Sequence, residues 1–300
     1  MTSKTHLAFA STAVGVTSVI EIPTPSPGPG EVMVNVAYSA VIPLDTYMTD
    51  YGRLIHGEYP VVLGFNLSGV VEAVGSGVDG LQTGYKVCAF ATIPDDFITA
   101  FYTLFDCLEL PPPMFTISAL TSHAETPILV YGAGATSGQY AVQLLSLAGY
   151  RRDCNRSLGA AHDMAKKILL AAGESIQFVL DCISAEGMLK SISSIVNSNG
   201  IVAMLLPVTE GSRHIAGKDV NPFPDSVKLV GAKTLAQNEY LRDNLMPNIL
   251  PRLLEEDIIQ PNRVCLFDQG SFQDRCQGAL DVVRNGQVNG EKNLVKVASM

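Results

Sequence analysis

Three hundred residues hold one large domain or two ordinary ones, and 47% apolar against 16% charged side chains support a sizeable core and exclude a disordered chain. A net charge of −9 with no Lys/Arg run excludes broad contact with a nucleic-acid backbone. No apolar stretch approaches the roughly 18 residues of a membrane helix, and the opening MTSKTHLAFASTAVGV lacks the apolar centre of a signal peptide, so a cytoplasmic protein with no nucleic-acid or membrane partner is expected.

Residues 1–90 read as β-rich. Pro23–Gly30, PTPSPGPG, is a loop, because its prolines and glycines suit neither a helix nor a central strand. Glu31–Val41 partly alternates apolar and polar residues, as a half-buried strand does. Val61–Phe90 is a series of short β-branched runs cut by glycines, which predicts a small curled β-domain with bulges and tight turns. From Pro94 the character changes. Pro94, Asp95 and Asp96 open an aromatic and aliphatic helix that Pro111–Pro113 closes.

Strands and helices then alternate. Ile128–Tyr131 is a strand, followed by a helix ending near Gly149 and a second helix over Ala161–Gly173. Gln177–Ile183 is a strand, Ala185–Val196 a helix, and Ile201–Leu206 and Lys228–Ala232 are further strands. The pattern is that of a parallel sheet covered by helices. The tail is mixed: a proline-interrupted helix over Asn244–Asp257, a strand at Arg263–Phe267, a helix at Ser271–Gly286 and a last strand at Asn293–Val297. The six cysteines, Cys88, Cys107, Cys154, Cys182, Cys265 and Cys276, include no Cys-x-x-Cys pair and read as small buried hydrophobes in a reducing compartment.

The turn after Ile128–Tyr131 reads Gly132-Ala133-Gly134-Ala135-Thr136-Ser137-Gly138. It fits Gly-x-Gly-x-x-Gly/Ala only with Ser137 in the last slot, and Gly138 falls one place later, so the spacing alone is a weak match. The physics suits an anion. A parallel strand delivers backbone N–H groups to the start of a helix, the missing side chains at Gly132 and Gly134 let a pyrophosphate approach, and Thr136 and Ser137 add hydroxyl donors. The other reading is a strand–helix corner whose small residues serve packing alone.

At this point a resemblance emerges. VVLGFNLSGVVEAVGSGVDGLQTGYKVCAF, LVYGAGATSGQYAVQLLSLAGY and GEKNLVKV are similar to the GroES-like segment, the nucleotide-binding turn and the C-terminal strand of medium-chain dehydrogenase/reductases. The likeness is to the zinc-independent, quinone oxidoreductase-like branch, especially the fungal enoyl reductases that act in trans with polyketide synthases. It implies an α/β fold: a GroES-like β-rich domain, built from both ends of the chain, around a Rossmann-type doubly wound parallel sheet. Expected boundaries are 1–92 and 237–300 for the former and 93–236 for the latter. It also implies an NADP(H)-dependent oxidoreductase reducing the C=C bond of an α,β-unsaturated carbonyl. The substrate would be a small molecule or a carrier-bound polyketide with a polyketide synthase as partner, and the protein a monomer or homodimer. Zinc members of the superfamily carry Gly-His-Glu where Gly64-Phe65-Asn66 stands, and the four-cysteine lobe is absent, so no metal is expected. His56–Glu58 reads as an exposed loop.

The resemblance also nominates site residues. Val41–Met48, VIPLDTYM, resembles the Asn-Pro-x-Asp/Glu-x-Tyr stretch beside the nicotinamide, with Ile42 in the asparagine position. It implies cofactor contacts at Pro43, Leu44, Asp45 and Thr46, and a catalytic Tyr47 that orients a carbonyl or donates a proton to the developing enolate. Tyr47 packing under the cofactor, and Asp45 capping a helix, are the other readings; Tyr51 is held in reserve. Gly132, Gly134, Ala135, Thr136, Ser137 and Gly138 would hold the diphosphate, and Leu205 and Leu206 at a strand end would touch the nicotinamide.

Two departures stand out. After Tyr150 comes RRDCNRSLGAAHDM, with no apolar strand where a second Rossmann strand belongs, although Ser157-Leu158-Gly159-Ala160 matches the family. Arg152, with Arg151 and Arg156, either meets a 2′-phosphate, favouring NADPH, or forms a solvated helix end. After Phe90 the family carries a longer stretch, with strands lining the substrate cleft, that this chain lacks. An active reductase with an abridged cleft therefore stands beside a truncated or degenerate member, without redox activity, that acts as a binding partner.

Overall fold

The computed structural model describes residues 4–89, 94–113, 123, 126–150, 168, 175–184, 188–205, 222–231 and 243–297. The chain opens with β1 (Thr5–Ala13), β2 (Val16–Pro23), β3 (Val32–Val41), α1 (Pro43–Tyr51), β4 (Val61–Val62), β5 (Asn66–Val74) and β6 (Lys86–Ala89). Next come α2 (Pro94–Tyr102), a π-helical turn (Thr103–Cys107), β7 (Ile128–Tyr131), α3 (Thr136–Leu147), β8 (Ile176–Asp181), α4 (Met188–Ser193), β9 (Val196–Met204) and β10 (Lys228–Gly231). A second π-helical turn (Leu245–Ile249), α5 (Leu250–Glu255), β11 (Arg263–Phe267), α6 (Phe272–Arg284) and β12 (Glu291–Lys296) complete it.

These elements form two compact units, Met1–Pro94 with Asn262–Met300, and Asp95–Pro261. The first unit's opening segment runs to Pro94 and its closing segment starts at Asn262, with α5 in the second unit. Leu250 and Leu253 are buried there, the Gln260 N–H donates to Gln143 Oε1 (2.7 Å) and Gln143 Nε2 donates to the Gln260 carbonyl (3.1 Å). Those bonds fasten the segment to α3.

Among its described residues the first unit has two sheets. One has the order β2-β1-β4 and the other β11-β12-β3-β5-β6. The second is antiparallel except for β11 and β12, which run parallel with Phe267 opposite Val295. The β3–β5 ladder slips register twice, at Met33/Val34 and at Val36/Tyr38, so the bulges expected of a glycine-cut β-domain are present. Phe9, Cys276, Ala279, Leu280 and Val295 form a core cluster, and each large apolar side chain so buried contributes about 1.5–3 kcal/mol. Ser271 caps α6 by accepting the Asp274 N–H, and the Asp274 carboxylate accepts the Ser271 N–H in return.

Arg284 clamps α6 to α1: its Nη2 and Nε donate to the two oxygens of Asp50 at 2.8 and 3.0 Å, and its Nη1 meets Asp281. The Asp50 hydrogen bond holds the guanidinium pKa above its ordinary value. Arg284→Met is expected to lose about 2 kcal/mol in denaturant unfolding, the scale of a charged hydrogen-bonded pair. Adding Asp50→Asn to it should lose little more, the signature of a shared interaction.

The second unit is built on a parallel sheet of order β10-β9-β8-β7 among the described residues. Ile176, Val179, Ile192, Val202, Phe223 and Val227 fill its core. The strand expected from Ile201 starts earlier, at Val196, and α4 is correspondingly shorter than Ala185–Val196. The helix expected at Ala161–Gly173 lies outside the described residues except for Ile168, which is helical and packs on this core. The helix from Pro94 runs only to Tyr102 before widening into the π-helical turn, where Phe101 and Phe105 meet edge to face at 4.7 Å.

Candidate functional site

The glycine turn joins β7 to α3 at the carboxyl end of the parallel sheet, where open α/β sheets bind ligands. Its three glycines play three parts. Gly132 turns the chain with φ +81°, and a Cβ there would stand 2.4 Å from Ile183 Cγ1. Gly134 faces open space: an added Cβ meets nothing within 4 Å. Gly138 lets α3 press on the turn, since a Cβ would fall 2.2 Å from the Gly132 carbonyl oxygen. Gly138, one place beyond the standard slot, therefore fills the close-packing part of the fingerprint. The Ala135 N–H closes the turn on the Gly132 carbonyl at 2.8 Å. Ala135 is the N-cap of α3 and supplies no side-chain cap, so the first backbone donors of the helix receive nothing from it. Backbone, helix dipole and open approach at Gly134 together fit a diphosphate.

Next to Tyr131, β8 ends at Asp181. Asp181 is fully buried, and its Oδ1 accepts the N–H groups of Ile183 (2.8 Å) and Ser184 (2.7 Å). Burial raises its pKa, and those two N–H bonds oppose the rise. Cys182 follows; burial, then the nearby Asp181 and Asp96 carboxylates, push its thiol far above its ordinary value, so it is an inert packing group. The Leu205 N–H donates to the Asp181 carbonyl at 2.9 Å, which sets half-buried Leu205 at the same strand-end edge. Leu206 lies outside the described residues.

Asp96, in the first turn of α2, completes this corner. It is 8% exposed, and its Oδ1 accepts both the Thr136 Oγ1 and the Ser137 Oγ hydroxyls at 2.8 Å. Phe97 and Tyr140 hold the two helices together edge to face, with ring centroids 5.7 Å apart. The hydroxyls expected to donate to a phosphate thus donate to a carboxylate of the chain itself.

The tyrosine stretch lies in the first unit. Pro43 begins α1 as an exposed residue, Leu44 and Tyr47 are half-buried, and Asp45 and Thr46 are buried. Asp45 is a capping group: Oδ2 accepts the Ile42 N–H at 2.8 Å and Oδ1 the Gly64 N–H at 3.3 Å. The Thr46 hydroxyl donates to the Pro43 carbonyl at 2.7 Å. Both side chains thus bond main-chain groups, those of the first turn of α1 and, for Asp45, of Gly64 as well. Burial pushes Asp45 up to about 6, against the pull of its two N–H donors and of Lys292. Tyr51 is 48% exposed.

At the position of the zinc branch's Gly-His-Glu, Phe65 is exposed and Asn66 buried. Among the described residues no group of three or more His, Cys, Asp or Glu side chains could hold a metal ion. His56–Glu58 is an exposed loop. Cys107, Cys182 and Cys276 are buried, whereas Cys88 is exposed and Cys265 half-buried, so the reading of all six as buried hydrophobes is too broad. A cavity of about 910 Å³ also lies inside the first unit, walled by both sheets and α6 through side chains such as Phe9, Val34, Leu67 and Leu280.

After α3, Tyr150 forms a parallel bridge to His123, and their rings stack at 4.8 Å. Arg151, Arg152, Arg156 and Ser157–Ala160 lie outside the described residues. Sequence reasoning missed Asp96 and Asp181 as site residues. The former presents itself as a helix-start charge; the latter had one available signal, an acid closing the apolar run QFVLD.

A parallel sheet with a three-glycine turn opening a helix defines a dinucleotide-binding class of fold. Comparison with known proteins agrees. The alcohol dehydrogenase GroES-like domain family matches residues 28–105. The trans-enoyl reductase tndF of Aspergillus flavipes is 28% identical over 209 residues, which take in 55% of this chain and 59% of that protein's length. The trans-enoyl reductase tazE of Aspergillus terreus is 26% identical over 230 residues, 63% of this chain and 76% of that protein. Among solved structures, an alcohol dehydrogenase superfamily protein from Novosphingobium aromaticivorans superposes with a TM-score of 0.71 at 20% identity, covering 97% of this chain and 99% of that one. The CurK enoyl reductase gives 0.70 at 16%, over 97% and 99%. The chain is therefore similar to medium-chain dehydrogenase/reductases, with the matched family model spanning residues 28–105 of it. No helix among the described residues is long and apolar enough to cross a membrane.

Proposed function

We propose that the chain is an NADP(H)-dependent, zinc-independent cytoplasmic reductase of the C=C bond in α,β-unsaturated carbonyls. Its substrate would be a carrier-bound polyketide intermediate, with a polyketide synthase acting in trans. The observation that carries the proposal is the turn at Gly132–Gly138, whose backbone fits a diphosphate. The names of the fungal relatives supply the reaction class. The bound nicotinamide would supply the hydride. In this reading the first N–H groups of α3 and the open face of Gly134 hold the diphosphate, and Leu205 offers an apolar contact. Pro43, Leu44, Asp45 and Thr46 are the contacts of the α1 stretch, and Tyr47 donates a hydrogen bond to the enolate oxygen. Preference for NADPH rests on Arg151, Arg152 and Arg156.

A second reading, a family member without redox activity that serves as a binding partner, draws on the carboxylate of Asp96 at the turn. Fluorescence titration separates them. The reductase is expected to bind NADPH saturably and more tightly than NADH, and to reduce an enoyl thioester. Tyr47→Phe should lower kcat about a hundredfold with cofactor affinity unchanged, as loss of a general acid does. No binding at millimolar NADPH would leave the second reading.

A further inference from the structure

We infer that Asp96 is an internal anion seated at the diphosphate site, which a dinucleotide must displace from Thr136 and Ser137 in order to bind. The inference rests on the cofactor reading above. The carboxylate is 8% exposed and accepts both hydroxyls at 2.8 Å at the start of α3. That is where the helix dipole favours a negative charge. Ala135, the N-cap, provides no side-chain acceptor, and the carboxylate that the neighbouring helix brings meets the Thr136 and Ser137 hydroxyls. The Phe97–Tyr140 contact keeps α2 in place against α3.

Two consequences follow for an incoming diphosphate. It meets a like charge in a poorly solvated corner, and it finds two side-chain donors already engaged. Both weaken binding, and the first is screened by salt. Asp96 thereby sets the affinity for the dinucleotide as a class, whichever ribose it carries, because the opposition falls on the diphosphate that NADPH and NADH share.

The test is titration of the full chain with NADPH at low and high ionic strength, for wild type, Asp96→Asn and Asp96→Ala, with thermal melts of each protein without cofactor. Asparagine keeps the shape and removes the charge. Removing it is expected to tighten NADPH binding about tenfold or more at low salt, because a like charge near the diphosphate is then gone. The gap should narrow as salt rises, which a purely structural role would not produce. Binding by Asp96→Asn where wild type shows none would support the inference equally. Equal or weaker binding by both variants, with melts like wild type, would overturn it while leaving the cofactor reading intact. If Asp96→Asn melts early, Asp96→Ala decides on the same criterion. No binding by any of the three proteins at millimolar NADPH would overturn the cofactor reading, and this inference with it.

Discussion

Gly138→Ala is expected to destabilise the second unit by about 3 kcal/mol or more, at the upper end of what a forced overpacking costs. The new methyl carbon would sit 2.2 Å from the Gly132 carbonyl oxygen and 2.9 Å from Ala133 Cα, and both are backbone. No rotamer change can relieve that contact, so α3 must lift away from β7 or the turn must open. Gly134→Ala is the matched control. The same methyl group there meets nothing within 4 Å, so stability should move by less than about 0.5 kcal/mol, as at ordinary surface sites. The second substitution is expected to weaken NADPH binding nonetheless, because its methyl fills the space through which a diphosphate would reach the main chain. Denaturant unfolding and cofactor titration on the two variants therefore give opposite patterns. An unaltered unfolding midpoint for Gly138→Ala would show that the turn tolerates a side chain at its tightest point.

Asp45→Asn is expected to remove a pH dependence from the first unit. The folded carboxyl titrates at about 6, above its usual 3.8. A raised folded value means that the folded state binds the proton more tightly than the unfolded one. The contribution to stability is then fully present below about pH 4 and lost as pH rises through 6. A difference of about two units amounts to about 3 kcal/mol. Between pH 4 and pH 7 the asparagine variant should gain on wild type by about that much, whatever the other carboxylates do in common. Unfolding midpoints measured across that range would run parallel if Asp45 were not the group responsible.

Much of the fold was legible because it depends on local patterns. Alternation predicted β3, the apolar run ILVY predicted β7, and the glycine-closed periodicity of SFQDRCQGALDVVRNG predicted α6. The turn was legible as a shape, since glycines at 132, 134 and 138 have few other uses between a strand and a helix. What stayed hidden depends on partners distant in sequence. Asp96 engages hydroxyls forty positions on, and nothing in PDDF distinguishes that from a helix-start charge. The capping of α1 by Asp45 through the Ile42 N–H was legible as one of its readings, whereas its second donor, Gly64, lies beyond any helix-capping window.

β12 occupies the second place in its five-stranded sheet, between β11 and β3, although it follows every other described element along the chain. A nascent chain therefore exposes the long edge of β3 on the ribosome throughout the synthesis of everything that follows. That edge is an invitation to the wrong partner until residues 291–296 emerge to close it. The second unit has no such wait, since all its strands precede Asn262. Translation thus imposes an order of maturation on the two units, and any slowing before residues 291–296 are made prolongs the interval in which holdase chaperones have most to protect.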